Sequence, residues 1–230
     1  MTLGVIADVH GNAPALQAVL AALRGRADQV LFLGDLAGYY PFVNQCADLW
    51  DGNRIEGVRG NHDQVLLDHL DTGRAPGEDY RARYGSAIER CARILSPQAR
   101  SLIESWPVQK RLLLASVSIA MCHGAPWGPL QGRVYPDFCD WERFDGCNEN
   151  VVLLGHTHYP LAKRWKGKWI VNPGSVGQPR DGRGGACYAV LDLGRDQVYL
   201  ERASYDASAV IADALLHDGA LPYLVEVLRS

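Results

Sequence analysis

Short apolar runs alternate with helical patterns through the first sixty residues. Leu3 to Ala7 reads as a strand that stops at Asp8, Val9, His10, Gly11 and Asn12. Asn12 is placed to cap a helix whose apolar positions Leu16, Val19, Leu20 and Leu23 recur at helical spacing, with Gly25 near its end. A second strand, Gln29 to Leu33, meets Gly34 and Asp35. A helix is predicted from Pro41 to about Trp50. A third strand, Ile55 to Val58, ends at Arg59, Gly60, Asn61, His62 and Asp63. This alternation predicts α/β units with substantially parallel pairing.

From Gln64 to Trp106 the spacing is mostly helical, with a polar break over Thr72 to Gly77 and a new short helix opened by Ser96 and Pro97. Strands return at Val108 to Ala115 and at Val117 to Cys122, the latter followed by His123 and Gly124. A loop rich in Gly, Pro and Trp, from Ala125 to about Pro136, is expected on the surface near His123. Val151 to Leu154 is a strand ending in Gly155, His156, Thr157 and His158. Further strands are predicted at Lys168 to Val171, Ala186 to Leu193 and Gln197 to Arg202, then an amphipathic helix from about Asp206 to His217. No linker, repeat or low-complexity tract interrupts residues 1–230, so a single domain is expected.

Composition narrows the class. The 230 residues are 47% hydrophobic and 21% charged, enough for one large core without disulfide or metal staples. A net charge of −3, from 23 basic and 26 acidic side chains, excludes a basic nucleic-acid footprint over the whole surface. The N-terminus lacks the segments of a secretory signal, and no apolar run approaches the ~18 residues of a membrane span. A cytoplasmic protein without membrane association is therefore expected. The six cysteines form no Cys-x-x-Cys pair and are expected as buried free thiols.

Candidate chemistry gathers at the strand ends. Asp8 and His10, Asp35, Asn61 and His62, His123, and His156 and His158 each follow a predicted strand directly. In α/β sheets ligands bind beyond the carboxyl ends of the strands, so these five loops are expected to converge. Imidazole, carboxylate and amide oxygen together suit Mn, Fe, Zn or a similar divalent ion, where an all-oxygen set would favour Mg or Ca. With no Cys in the set, a catalytic site fits better than a structural zinc site.

In their order these pieces resemble the calcineurin-like metallophosphoesterases. The pattern is Asp-x-His (Asp8, His10), Gly-Asp (Gly34, Asp35), Gly-Asn-His-Asp (Gly60 to Asp63), a lone His after a strand (His123) and Gly-His-x-His (Gly155 to His158). Each piece alone occurs in ordinary turns, whereas five in order are specific. The stretch from Gly34 to Asn44, with Asn172 to Arg180, looks like the small single-domain bacterial and archaeal branch. The resemblance implies an α/β fold, a two-sheet β-sandwich flanked by helices in four layers. It also implies two divalent ions, Mn favoured, with Asp8, His10 and His158 on one, Asn61, His123 and His156 on the other, and Asp35 bridging. The implied activity is hydrolysis of a phosphodiester or small phosphorylated metabolite by in-line attack of a hydroxide shared between the ions. His62 would be the general acid, with Asp63 orienting its ring and favouring its protonated form.

Other side chains are weighed against blander roles. Arg180 and Tyr40 are candidate substrate contacts, and Arg183 is a further candidate for a phosphate oxygen. Tyr39, Tyr40 and Trp127 adjoin the site loops, where stacking on a substrate competes with ordinary packing. Lys163, Arg164, Lys166 and Lys168 are expected at a solvated hairpin tip, with nucleic-acid binding the less favoured use. His69 and His217 are expected to be bystanders. Two other classes remain, a phosphoprotein phosphatase or nuclease with the same ions, and a non-catalytic scaffold of the same fold.

Overall fold

The computed structural model describes residues 1–50 and 52–229. The N-terminal half builds the first sheet and its helical cover. Strand β1 (Thr2–Ile6) leads into helix α1 (Ala13–Leu23), then come β2 (Gln29–Phe32), α2 (Val43–Asp48) and β3 (Ile55–Gly57). Asn12 caps α1 by accepting the Ala15 amide at 3.2 Å, and Leu16, Val19, Leu20 and Leu23 form its buried face. Four helices follow: α3 (Asn61–Thr72), α4 (Glu78–Tyr84), α5 (Ala87–Ile94) and α6 (Pro97–Ser105). Gly73 at φ 67° ends α3 inside the predicted polar break. The start of α3 is earlier than the spacing predicts, because Asp63 reaches back to the Gly60 amide at 3.0 Å and closes the first turn.

The second half supplies the other sheet. Strands β4 (Gln109–Leu114) and β5 (Val117–Cys122) form a hairpin, followed by β6 (Val151–Leu153), β7 (Pro160–Trp165) and β8 (Lys168–Pro173). Then β9 (Ala186–Asp192) and β10 (Gln197–Ala203) return to the first sheet, and helices α7 (Ser208–Asp218) and α8 (Tyr223–Arg229) finish the described chain. The sheets run β10-β9-β1-β2-β3 and β4-β5-β6-β8-β7. Pairing is parallel in β1-β2-β3 and in β5-β6-β8, and antiparallel at the outer strands. The fold is thus the expected α/β sandwich.

Alternation along the strands explains the layers. Leu3, Val5, Leu31 and Leu33 from one sheet meet Ile119, Met121, Leu153 and Val171 from the other in a dry inter-sheet core. The opposite face of the first sheet, with Ile6 and Phe32, packs on Leu16, Leu66, Ile88 and Ile103 of the helices. Over the second sheet the outer layer is the 123–150 loop with one 3-10 turn, Trp141–Phe144, resting Phe144 and Val134 on Val152 and Ile170.

Two elements escape the sequence pattern, and one expectation is corrected. The edge strand β7 exposes Ala162, Lys163 and Arg164, so it lacks hydrophobic alternation. The basic run brackets the β7-β8 hairpin turn as expected, with Lys163 and Arg164 exposed at the end of β7, Lys166 in the turn and Lys168 opening β8. Helix α8 follows Pro222 and buries Leu224 and Val225 against Tyr39 and Tyr40. All six cysteines are free, but Cys139 is exposed and Cys147 half-buried, so the expectation of burial holds for the other four. No described helix is long and apolar enough to cross a membrane.

Candidate metal centre

The parallel strands of both sheets bring their carboxyl ends to one pole, and the five loops meet there. Backbone bonds stitch them together: the Asp8 amide donates to the Gly34 carbonyl at 3.0 Å, His10 to Asp35 at 2.9 Å and Gly155 to His123 at 2.8 Å. The Asn172 to Arg180 segment closes from the side, with the Gly177 amide at 2.9 Å and the Ser175 hydroxyl at 2.7 Å on the Asp8 carbonyl. A Cβ on Gly177 would lie 1.9 Å from the Val9 carbonyl oxygen, and one on Gly60 2.0 Å from Asp35 Oδ1. These two motif glycines are close-approach positions.

Five of the gathered residues are held in left-handed backbone: Asp8 (φ 55°), His10 (51°), Asp35 (63°), His156 (69°) and His158 (64°). Such conformations are costly for non-glycine residues and persist where the surroundings impose them, characteristically at functional sites. Here they turn consecutive strand-end side chains inward.

Hydrogen bonds on the far side of each ring fix what the histidines present. Nδ1 of His10 donates to the Ala37 carbonyl (3.1 Å), of His123 to Leu33 (2.8 Å) and of His158 to Gln178 (2.7 Å). Their Nε2 atoms then face inward. Nε2 of His10 and His158 lie 3.0 Å apart, and His158 Nε2 is 3.4 Å from Asp8 Oδ1. His123 Nε2 is 3.2 Å from Asp35 Oδ2 and 2.9 Å from Asn61 Oδ1, with His156 Nδ1 at 3.2 Å. Asp35 Oδ2 is buried without a hydrogen-bond donor. Donor atoms of Asp8, His10 and His158, and of Asp8, Asp35 and His123, cluster closely enough to hold a metal ion. Nitrogen and carboxylate atoms crowded on one another call for positive charge between them, and the mixed nitrogen and oxygen set suits divalent transition metals.

Electrostatics point the same way. Burial pushes His123 down, but the Asp35 and Asp8 carboxylates outweigh it and raise its pKa to about 9. A proton thus occupies the place of positive charge in the metal-free protein. Burial would raise Asp35, yet His123, His62 and His10 hold it well below the carboxylate range. Burial, with His123 second, pushes His156 down to about 3, and burial and Arg180 push His158 well below its ordinary value. Both rings are neutral, ligand-ready imidazoles at pH 7.

His62 sits beside this cluster, its ring edge-on to His10 at 5.1 Å between centroids, and its backbone amide donates to Asp35 Oδ1 at 2.8 Å. The partner expected for its ring is corrected. Asp63 turns its carboxylate away, accepting the amides of Asp35 (2.9 Å), Ala37 (3.0 Å) and Gly60 (3.0 Å), so it ties the second and third loops together. The ring nitrogen Nδ1 of His62 instead meets the Tyr80 hydroxyl, and Tyr84 stands edge-on to the ring at 4.9 Å. The protonated state expected for the ring is not favoured in the metal-free protein, where burial pushes His62 down to about 3.

Other candidates divide. Arg180 reaches the Tyr39 hydroxyl at 2.6 Å and Gln178 Oε1 at 3.0 Å, beside His158. Tyr40 is corrected: fully buried, it donates its hydroxyl to the Leu224 carbonyl at 2.9 Å and is a packing residue. Tyr39 is also buried, edge-on to His10 at 4.5 Å. Trp127 packs on Phe144 under Arg143, and Arg183 lines a separate cleft. His217, half-exposed near Asp213, and His69 on α3 take no part. Arg133 was not legible in the sequence. It lies in a loop outside every motif, yet its Nε donates to His156 Nε2 at 3.2 Å.

Comparison with known proteins agrees with this architecture. Residues 1–196 match the calcineurin-like phosphoesterase superfamily domain. The chain is 29% identical over 223 residues to an uncharacterized protein of Methanocaldococcus jannaschii, covering 89% of this chain and 88% of that one. It is 28% identical over 213 residues to the phosphodiesterase YfcE of Escherichia coli, covering 84% and 88% of the two chains. Among solved structures, a metallophosphoesterase from Sphaerobacter thermophilus superimposes with a TM-score of 0.78 at 27% identity, covering 99% of this chain and 98% of that one.

Proposed function

Because the chain belongs to the calcineurin-like phosphoesterase superfamily, we propose that it hydrolyses a phosphodiester or small phosphorylated metabolite at this cluster, using two divalent ions. The observation that carries the proposal is the inward convergence of the Nε2 atoms of His10, His123 and His158 on the Asp8 and Asp35 carboxylates. In this reading Asp8, His10 and His158 hold one ion and Asn61, His123 and His156 the other, with Asp35 shared. Manganese is the first metal to test. The ions, when bound, supply Lewis acidity for the attacking water and positive charge for the phosphoryl oxygens. The preference for a diester draws on the likeness to a relative named as a phosphodiesterase.

The chain's own groups then position and move protons. Carbonyl bonds at Nδ1 lock three imidazoles, so no reorganisation accompanies substrate binding. His62 has Nδ1 occupied by Tyr80 and keeps Nε2 for the substrate. The arriving phosphate anion offsets the burial that holds this ring neutral, and His62 delivers the proton from Nε2 to the departing oxygen. Arg180, fixed by Tyr39 and Gln178, supplies positive charge beside His158.

Hydrolysis of bis(p-nitrophenyl) phosphate by manganese-reconstituted protein tests the proposal. His62→Ala is expected to lower kcat by roughly 10²- to 10⁴-fold while both ions remain bound by elemental analysis. Loss of both ions from that variant would make His62 a ligand instead. Parallel assays on phosphopeptide, DNA and small diesters separate the substrate classes, and no turnover with both sites filled would leave a scaffold.

A further inference from the structure

A cleft of about 300 Å³ opens next to the metal centre, lined by Pro136, Tyr159, Asp181, Arg183, Glu201 and Arg202. It shares the catalytic pole. Tyr159 directly follows His158, Asp181 directly follows Arg180, and the Arg180 amide reaches the His158 carbonyl at 3.4 Å. Arg202, near the end of β10, pairs with Cys187 at the start of β9, and Pro160 at the start of β7 pairs with Pro173 at the end of β8. The cleft therefore lies where the two sheets meet beside the site.

Its charges are unevenly satisfied. Asp181 is paired with Arg202, and Glu201 accepts both Nη groups of Arg26 at 2.8 and 2.9 Å. Arg183 is exposed and makes no ion pair or hydrogen bond among the described residues. Arg133, three residues before Pro136, is anchored to His156 through Nε alone and has no ion pair among the described residues. Arg183 thus lines the cleft with free donors, and Arg133 carries free donors between His156, which it bonds, and the cleft-lining Pro136 three residues on. Asp181 Oδ1 is buried without a partner, so this carboxylate is turned away from the open cleft.

We infer that this cleft, together with the neighbouring Arg133, binds a second phosphate of the substrate, away from the scissile phosphorus. The inference rests on the phosphoesterase reading and narrows it to substrates carrying two phosphates. Paired carboxylates leave the cleft with surplus positive charge, and guanidinium forks suit phosphate oxygens. The cleft has the size of a small-ligand site.

The test is calorimetric binding of adenosine 3′,5′-bisphosphate and adenosine 5′-monophosphate to the metal-loaded protein. The bisphosphate is expected to bind about 10-fold more tightly, the worth of one added charge-assisted contact. Arg183→Gln and Arg133→Gln are each expected to shrink the ratio to about 2-fold or less, with metal content and circular dichroism checked in both. Equal affinities in the parent protein, no binding of the bisphosphate, or a preference that survives both substitutions would overturn the inference. Failure of the phosphoesterase reading is distinguishable, since it shows as no hydrolysis of bis(p-nitrophenyl) phosphate with both ions bound, whatever the bisphosphate does.

Discussion

The two sides of the site are built differently. Around Asp8, His10 and His158 every ligand candidate is buried, Tyr39 packs edge-on to both rings at 4.5 and 5.9 Å, and Arg180 is pinned to Tyr39. Around His123, the flanking Asn61 and His156 are half-buried, and their visible neighbour is the exposed Arg133. The first side is part of the core and the second faces solvent. Rigidity of the buried side preorganises its donors, while the open side is the one accessible to the proposed substrate and ions.

The largest effect is expected where the sides join. Asp35→Asn removes the shared carboxylate, and is expected to lower kcat/KM by on the order of 10³-fold with loss of both ions. Retention of one full ion would show that the sides are independent. The sides themselves separate through His158→Ala and His156→Ala. The former strands the Gln178 carbonyl in the core and is expected to destabilise metal-free protein by about 2–3 kcal/mol. The latter is expected to cost about 1 kcal/mol or less, at a half-exposed ring. Thermal unfolding of both variants checks this, and equal losses would break the contrast.

A pH effect follows from His123. Its pKa rises from an ordinary 6.5 to about 9 in the folded, metal-free protein. Its contribution to stability is therefore fully present below pH 6.5 and lost as pH rises through about 9. A metal ion competes for the same Nε2 lone pair, so uptake near pH 7 is expected to release about one proton from this ring and to strengthen with pH. Calorimetry in buffers of different ionisation enthalpy measures that proton, and its persistence in His123→Ala would assign it elsewhere. A small effect is also expected at Tyr40→Phe, which loses the bond to Leu224 at a cost of about 1 kcal/mol in thermal unfolding with turnover retained. A large rise in KM would return Tyr40 to the substrate site.

Strand ends were legible in the sequence because the apolar runs stop abruptly at Asp, His and Asn, and the order of those stops carries the family pattern. Asn12 was legible as a cap because its geometry is local. Tyr80 and Arg133 were not, since each reaches its histidine across the fold, 18 and 23 residues away. Asp63 was misread for a related reason. Sequence adjacency to His62 suggested contact, but the first turn of α3 points its carboxylate at three backbone amides. Strand β7 hid because an exposed edge needs no hydrophobic alternation.

The central claim is that catalysis depends on ions held by the inward-facing donors. The most direct measurement follows metal content and bis(p-nitrophenyl) phosphate hydrolysis together through chelation and manganese reconstitution. The account predicts two ions per chain, turnover lost on their removal and restored as they return. Undiminished turnover after complete metal removal, or none with both ions bound, would contradict it.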